Sequence, residues 1–389
     1  MAITGSTSAR GPRIRLGMVG GGREAFIGAV HRIAARLDDR FDLVAGCFSA
    51  SPEKALASAA DLGVPRAYTS FADMALREAR RKDGIEAVAI VTPNHMHAPV
   101  AKQFLRRGIH VICDKPLTAT LAEAKRLAKA AQASGVIFAL THNYTGYPMI
   151  RQARAMVQAG DLGDLRLVQV EYAQDWLADP IESTGHKQAE WRTDPARTGV
   201  GGSTGDIGTH AFNLAGFVTG LQVDQLAADL HSFVPGRRVD DNAHVMLRYQ
   251  GGARGMLWCS QVAAGNENAL RLRVYGTKAG LDWSQEEPNV LWVTPLGQPR
   301  YRLTRMGAGT GPEAARMSRV PPGHPEGYLE GFANIYAEVA QAIAARRNGT
   351  VLDPGVTFPG LREGVEGMAF VDACARSSAR NAAWVKLAR

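Results

Sequence analysis

Three groups of residues in this 389-residue chain have types and spacing suited to chemistry. The first is Gly20-Gly21-Gly22-Arg23-Glu24-Ala25, which fits the pattern G-x-G-x-x-G/A. In that pattern Gly20 makes a tight turn, Gly22 lets the backbone approach a pyrophosphate, and Ala25 keeps the following helix close to the preceding strand. The phosphates then lie at a helix N-terminus, where free N–H groups favour anions. The second group is Cys113-Asp114-Lys115-Pro116, which ends an apolar run. Ligands of open parallel sheets bind beyond the carboxyl ends of strands, and a lysine there can stabilise an alkoxide as it forms. The third is Asp206 and His210, four residues apart after a glycine-rich stretch. On a helix that spacing puts both on one face. Imidazole titrates near neutral pH and suits a general base, and a neighbouring carboxylate biases its charge.

These groups need elements to position them. Residues 13–142 alternate short apolar strands with amphipathic helices. The strands are read at Ile14–Val19, Leu43–Phe48, Ala87–Val91, His110–Cys113 and Val136–Leu140, and the helices at Phe26–Leu37, Pro52–Leu62 and Thr120–Ala133. Ala87–Val91 is apolar throughout, as in a strand covered on both faces. Repeated strand-helix-strand units imply a doubly wound parallel sheet that binds a dinucleotide. The pattern changes over residues 143–389. A helix near Tyr147–Ala159 is followed by longer strands at Leu165–Trp176, Gln225–Phe233, Asn242–Tyr249, Arg254–Val262 and Ala269–Tyr275. This predicts an α+β domain on a largely antiparallel open sheet, closed by helices over Glu330–Ala345 and Leu361–Ser377. Met306–Gly323, rich in Gly, Pro, Met and Ala, reads as a long loop of the kind that forms lids or oligomer arms.

Composition narrows the classes. Forty-five Lys+Arg against 37 Asp+Glu give a formal charge of +8. The basic residues are dispersed. The clusters Arg80-Arg81-Lys82 and Arg346-Arg347 stand at predicted helix ends, where cations complement the helix dipole. No basic stripe interleaved with aromatics points to nucleic acid. No apolar run is long enough to span a membrane, and residues 1–12 read as a flexible tail rather than a signal peptide. Cys47, Cys113, Cys259 and Cys374 lack any CxxC pairing, which suggests buried thiols in a reducing cytoplasm. His95, His97 and His142 fall on different elements without HExxH spacing, so no metal site is expected. A G-x-S-x-G hydrolase turn is also missing.

The second strand ends Gly46-Cys47-Phe48-Ser49-Ala50-Ser51. It offers neither an acidic residue for a ribose 2′-hydroxyl nor an arginine for a 2′-phosphate. Ser49 can serve the ribose of NAD, and Lys54 can reach a phosphate, so the reading leans to NAD and leaves NADP open.

Two further motifs carry a resemblance. Val91-Thr92-Pro93-Asn94-His95-Met96-His97 stands at the end of the strand Ala87–Val91, and Gly201-Gly202-Ser203-Thr204-Gly205-Asp206-Ile207-Gly208-Thr209-His210 follows later. With Asp114-Lys115-Pro116 between them, the chain resembles the glucose-fructose oxidoreductase/inositol dehydrogenase/MocA (Gfo/Idh/MocA) family of NAD(P)-dependent sugar and polyol dehydrogenases. The levoglucosan and scyllo-inositol dehydrogenases of that family are the nearer look-alikes. That narrower likeness rests on Gln174-Asp175-Trp176, the tract Lys187–Arg192 and Gly323-His324-Pro325-Glu326-Gly327-Tyr328. One departure is Asp114, where the family commonly has Glu.

The resemblance implies a catalytic Lys115 followed by a cis proline. It implies cofactor contacts at Phe26, Ile27, Thr92, Asn94, His97, Asp114 and Asn143. Gln174 would bond sugar hydroxyls, and Trp176 would offer an aromatic wall to a ring. Tyr147 is preferred over Tyr144 as a substrate contact, and His324 would cover this pocket or a neighbouring subunit's. Oxidation of a secondary alcohol needs a base for the hydroxyl proton. His210 suits that role, with Lys115 or a relay through Asp206 left open. The implied activity is oxidation of a secondary hydroxyl on a cyclic sugar, such as levoglucosan or a glycoside at C3, to a ketone. An inositol is the alternative substrate. A non-catalytic sugar or nucleotide sensor is the alternative class, and a lyase or glycosidase using NAD transiently is a third. Such second domains usually cover one sheet face, which implies a homodimer or homotetramer.

Overall fold

The computed structural model describes residues 11–23 and 25–388. Apart from Gly11 and Pro12, the expected tail lies outside the described residues.

The first sheet is built from β1 (Ile14–Gly20), β2 (Phe41–Cys47), β3 (Arg66–Ala67), β4 (Ala87–Val91), β5 (His110–Cys113) and β6 (Phe138–Leu140). All its pairings are parallel, in the order β3-β2-β1-β4-β5-β6. The order reverses beside β1, which opens a crevice at the carboxyl ends of β1 and β4. The covering helices are α1 (Phe26–Leu37), α2 (Pro52–Asp61), α3 (Phe71–Glu78), α4 (Asn94–Leu105) and α5 (Leu121–Ser134). α1 buries Val30, His31, Ala34 and Ala35, a four-residue repeat that points one stripe inward. Ser51 caps α2 ahead of Pro52, and the Thr120 hydroxyl caps α5 by accepting from the Glu123 N–H. α4 was not foreseen, and α3 was expected only as a helix carrying Arg80-Arg81-Lys82 in its last turn. α3 ends at Glu78, so Arg80-Arg81-Lys82 lies just past that helix rather than in its last turn.

The second part begins with α6 (Pro148–Gln158) and β7 (Leu165–Ala173). Two short helices, α7 (Lys187–Arg192) and α8 (Pro195–Thr198), precede α9 (Thr209–Thr219). The sheet continues through β8 (Val223–His231), β9 (Asn242–Tyr249), β10 (Arg254–Ser260), β11 (Ala269–Gly276), β12 (Ala279–Ser284), β13 (Val290–Pro295) and β14 (Tyr301–Thr304). The short helix α10 (Pro312–Ala315), the long α11 (Tyr328–Asn348), α12 (Leu361–Ser378) and β15 (Val385–Lys386) complete the chain. Nine strands form the order β14-β13-β12-β11-β7-β10-β9-β8-β15. Every pairing is antiparallel except that of β7 with β10. Along β7, Val168, Val170 and Tyr172 are buried while Leu167 faces outward, as its alternation requires.

The two C-terminal helices return to the first sheet. Phe332, Ile335, Tyr336 and Val339 of α11 share a core with Ile14, Leu16, Val30 and Phe41. The segment Met306–Gly323 is also tied down. The buried Arg305 guanidinium donates to the carbonyls of Val320 (2.8 Å), Pro321 (2.9 Å) and His324.

A buried ion pair fastens α6 to α11. Arg151 makes two 2.8 Å bonds to the Glu338 carboxylate and donates to the Thr145 carbonyl at 2.6 Å. Removing one partner strands the other charge in the core. Arg151→Met should therefore cost about 3–5 kcal/mol in a denaturant titration. The Arg151→Met/Glu338→Met double variant should recover part of that loss. A single variant within about 1 kcal/mol of the parent would contradict this view of the joint.

Candidate active site

The glycine turn between β1 and α1 is set by close backbone approach. Gly20 has φ +84°, and a Cβ there would meet the Val91 carbonyl oxygen at 2.6 Å. The expected role of Gly22 shifts, because a Cβ on it would strike the Ser58 hydroxyl (2.7 Å) and the Phe48 carbonyl oxygen (2.8 Å). Tight helix–strand packing falls to Gly28, whose added Cβ would lie 2.4 Å from the Gly21 Cα. Ala25 instead stands at the N-cap position of α1, without a capping side chain, and lines the cleft.

From this turn a cleft of about 1230 Å³ runs across the carboxyl ends of the parallel strands to the second sheet. Its first end is lined by Gly20, Gly22, Ala25, Phe26, Ile27, Ser49, Thr92 and Asn94. Asp114, Lys115 and Asn143 stand midway between the two sheets. Thr92 Oγ1 and Asn143 Nδ2 are buried without a partner among the described residues, as groups that await a bound molecule would be. His97 does not line the cleft. Its ring lies beneath, with Nδ1 2.7 Å from the Pro116 carbonyl and Nε2 2.8 Å from that of Thr92, so it joins two cleft loops. Asp114 Oδ1 accepts from the Lys115 N–H (2.9 Å) and the Thr141 hydroxyl (3.0 Å), which fixes the backbone that carries the lysine. The Lys115–Pro116 bond is cis.

Lys115, Asp206 and His210 all reach the cleft. Asp206 lies in a wide π turn, Thr204–Gly208, which leads into α9. A single π turn inside a helix commonly marks a functional site. Lys115 Nζ donates to Asp206 Oδ1 at 2.9 Å and to the Asp206 carbonyl. On the other oxygen, Oδ2 accepts from Arg192 Nε (3.1 Å) and Gln261 Nε2 (2.9 Å). Burial opposes ionisation of Asp206, but the cations Arg192 and Lys115 outweigh it and hold the carboxyl far below its usual range. His210 packs against the rings of Tyr144 (4.9 Å) and His142 (5.4 Å). Burial, and then the charge on Lys115, push its pKa well below the usual value, so the imidazole is neutral at physiological pH.

The far end of the cleft is polar and aromatic. Trp176 Nε1 donates to Gln174 Oε1 (3.1 Å), and Gln174 Nε2 donates to Asn268 Oδ1 (2.7 Å). The Tyr172 hydroxyl donates to the same Asn268 oxygen at 2.7 Å and lies 2.5 Å from the Tyr144 hydroxyl. Two expectations are corrected here. Tyr147 is buried at 1% exposure and stacks behind Tyr144, which takes the cleft wall in its place. His324 is exposed and does not line the cleft of its own chain, which sets aside the first of its two expected roles and leaves the second, at a neighbouring subunit's pocket, untouched. Asn268 and Gln285 were not singled out, since lone polar residues carry no motif, and Arg192 entered only within the tract Lys187–Arg192, without a role of its own.

Asp240 was missed as well. Its buried carboxylate accepts from the Gly202 and Thr204 N–H groups (2.7 and 2.8 Å) and from the Ser203 and Thr204 hydroxyls (2.6 and 2.9 Å). These bonds hold the start of the π turn from below.

A six-stranded parallel sheet with a glycine turn, joined to a lysine, aspartate and histidine at its strand ends, defines a dinucleotide-dependent oxidoreductase. Family comparison agrees. Residues 14–142 match the oxidoreductase family's NAD-binding Rossmann fold, and residues 150–282 match the GFO/IDH/MocA C-terminal domain. The chain belongs to the Gfo/Idh/MocA family and is an NAD-binding oxidoreductase. It is 61% identical to a solved oxidoreductase from Sinorhizobium meliloti, with TM-score 0.89 over 97% of this chain and 100% of that one. An inositol dehydrogenase homolog from Azotobacter vinelandii, solved with NAD+, is 37% identical with TM-score 0.93, over 97% of this chain and 98% of that one. The levoglucosan dehydrogenase of Pseudarthrobacter phenanthrenivorans is 26% identical over 96% of this chain and 97% of its own length. No helix among the described residues is long and apolar enough to cross a membrane.

Asp240→Ala should misplace the π turn without touching the glycine turn. Turnover should fall roughly tenfold or more, because small displacements at a reacting centre are costly. NAD affinity, read by fluorescence titration, should stay within about twofold of the parent. Unchanged turnover would show that Asp240 serves stability alone.

Proposed function

We propose that the protein oxidises a secondary hydroxyl of a cyclic polyol or sugar ring to a ketone with NAD. The observation that carries this is a hydrogen-bonding and aromatic cleft end beside Lys115 and His210. Gln174 and Asn268 suit ring hydroxyls, and Trp176 suits the C–H face of a ring. The glycine turn, Ser49, Thr92, Asn94 and Asn143 would hold NAD, which would supply the hydride acceptor. The protein's own residues manage the proton. His210, neutral before reaction, takes the hydroxyl proton. Lys115 stabilises the alkoxide as charge develops. Asp206 is an ionised anchor for Lys115, too acidic to serve as the base.

Two substrate readings follow. Levoglucosan or a glycoside, oxidised at a carbon such as C3, fits the Gln174 and Trp176 pair. Inositol is favoured by the higher identity to the inositol dehydrogenase homolog, which has also been solved with NADH and myo-inositol. NADH absorbance should rise with at least one of levoglucosan, simple glucosides, myo-inositol and scyllo-inositol. His210→Ala should cut that rate by about a hundredfold or more with NAD affinity little changed. Tight NAD binding without reduction by any ring polyol would favour the sensor reading, and near-normal turnover in the variant would remove His210 from the base role.

The outer face of the second sheet supports a homodimer or homotetramer. Leu167 stands opposite Tyr275, and Met246 opposite Met256, and all four are exposed. Monomeric proteins rarely leave such a patch uncovered. Sedimentation should give a dimer or tetramer, and Met246→Glu/Met256→Glu should dissociate it. A monomeric parent would contradict the reading.

A further inference from the structure

A second cavity, of about 420 Å³, lies at the opposite end of the parallel sheet. Arg15 near the start of β1, Arg81 after α3, Arg107 after α4, and Arg346 and Arg347 at the end of α11 all line it. Segments distant in sequence thus bring five arginines to the wall of one hollow. The seven residues of β1 separate it from the glycine turn by about 20 Å.

Two carboxylates also face the hollow, and both are engaged. Glu78 bonds Arg66 twice (2.7 and 2.9 Å) and accepts from the Tyr68 hydroxyl (2.7 Å). Glu86 is shared by Arg15 (3.3 Å) and Arg347 (3.8 Å). Arg81 pairs with Asp83 (2.9 and 3.0 Å). Arg107 donates to the backbone carbonyl and side-chain oxygen of its neighbour Gln103 (2.7 and 3.2 Å). Neither Arg107 nor Arg346 has a carboxylate partner among the described residues. The His110 ring on the wall registers the excess of positive charge: burial first, then Arg346, lower its pKa to about 4.

Capping explains part of this. α3, α4 and α11 all end here, and each helix C-terminus carries about half a negative charge. One cation per helix would answer that, whereas five stand around a single concave space. Guanidinium forks match phosphate oxygens in pairs, and the volume lies within the range of small-molecule sites.

We propose that this hollow is an anion site for a phosphate-bearing small molecule, a pyrophosphate or phosphoester, separate from the dinucleotide cleft. The proposal does not depend on the substrate of the oxidoreductase. Its test is calorimetric titration of inorganic pyrophosphate into protein saturated with NAD, so that the glycine turn is already filled. One pyrophosphate should bind per chain. Arg346→Ala/Arg347→Ala and, separately, Arg107→Ala should each weaken binding by about tenfold or more. Arg80→Ala, an exposed arginine outside the hollow, should leave it unchanged. Thermal unfolding establishes that each variant is folded, and the two independent sets guard against loss of one. No binding at millimolar pyrophosphate in the NAD-saturated protein, or equal affinity in all variants, would overturn the proposal.

Discussion

The carboxylate of Asp206 is where the two halves of the molecule meet chemically. One oxygen takes Lys115 from the end of β5, and the other takes Arg192 from α7 and Gln261 just beyond β10. Two cations and an amide around one buried carboxylate fix its charge, because protonating it would leave both cations uncompensated. They also fix position. The lysine is held at its base by Asp114 and at its tip by Asp206, and the aspartate is held from beneath by Asp240 through the π turn. The first sheet, the second sheet and the connecting helices must all be in register for this cluster to form.

That constraint determines the state of His210. The histidine is buried among Tyr144, Tyr172 and His142, with the Lys115 cation nearby. Burial opposes its protonation first and Lys115 next, and together they outweigh the opposite pull of Asp206, so the imidazole stays neutral. A neutral imidazole beside a fixed cation can take a proton from an alcohol whose oxygen the cation stabilises. Arg192 shares the Asp206 carboxylate with Lys115, and so bears on the position of the lysine through it.

Much of this was legible in the sequence where local chemistry determined the outcome. The strand ends carrying the glycine turn, Thr92-Pro93-Asn94 and Asp114-Lys115-Pro116 were readable because parallel strands buried on both faces are short apolar runs bounded by turn residues. The strands β12 to β14 were not read, since Asp282, Gln285-Glu286-Glu287 and Gln298-Pro299-Arg300 interrupt their apolar pattern. The choice between Tyr144 and Tyr147 turned on one turn of 3-10 helix, Asn143–Gly146, which no periodicity announces. Asp240 and Arg305 act through bonds to backbone brought near by the fold, and a lone charged residue in a loop gives no sign of such a role. Gly28 was passed over for Ala25 because the fingerprint counts positions, whereas packing depends on where two backbones cross.

The most direct test is the charge on His210 itself. Histidine labelled with 15N, with the His210 resonance assigned by its loss in His210→Gln, should show an imidazole that stays neutral through the pH range in which an ordinary histidine titrates, in the NAD-saturated protein. In Lys115→Met the same ring should titrate at a higher pH than in the parent, because a cation that opposes its protonation is gone. A His210 that is already charged at neutral pH in the parent, or whose titration ignores Lys115, would contradict the account.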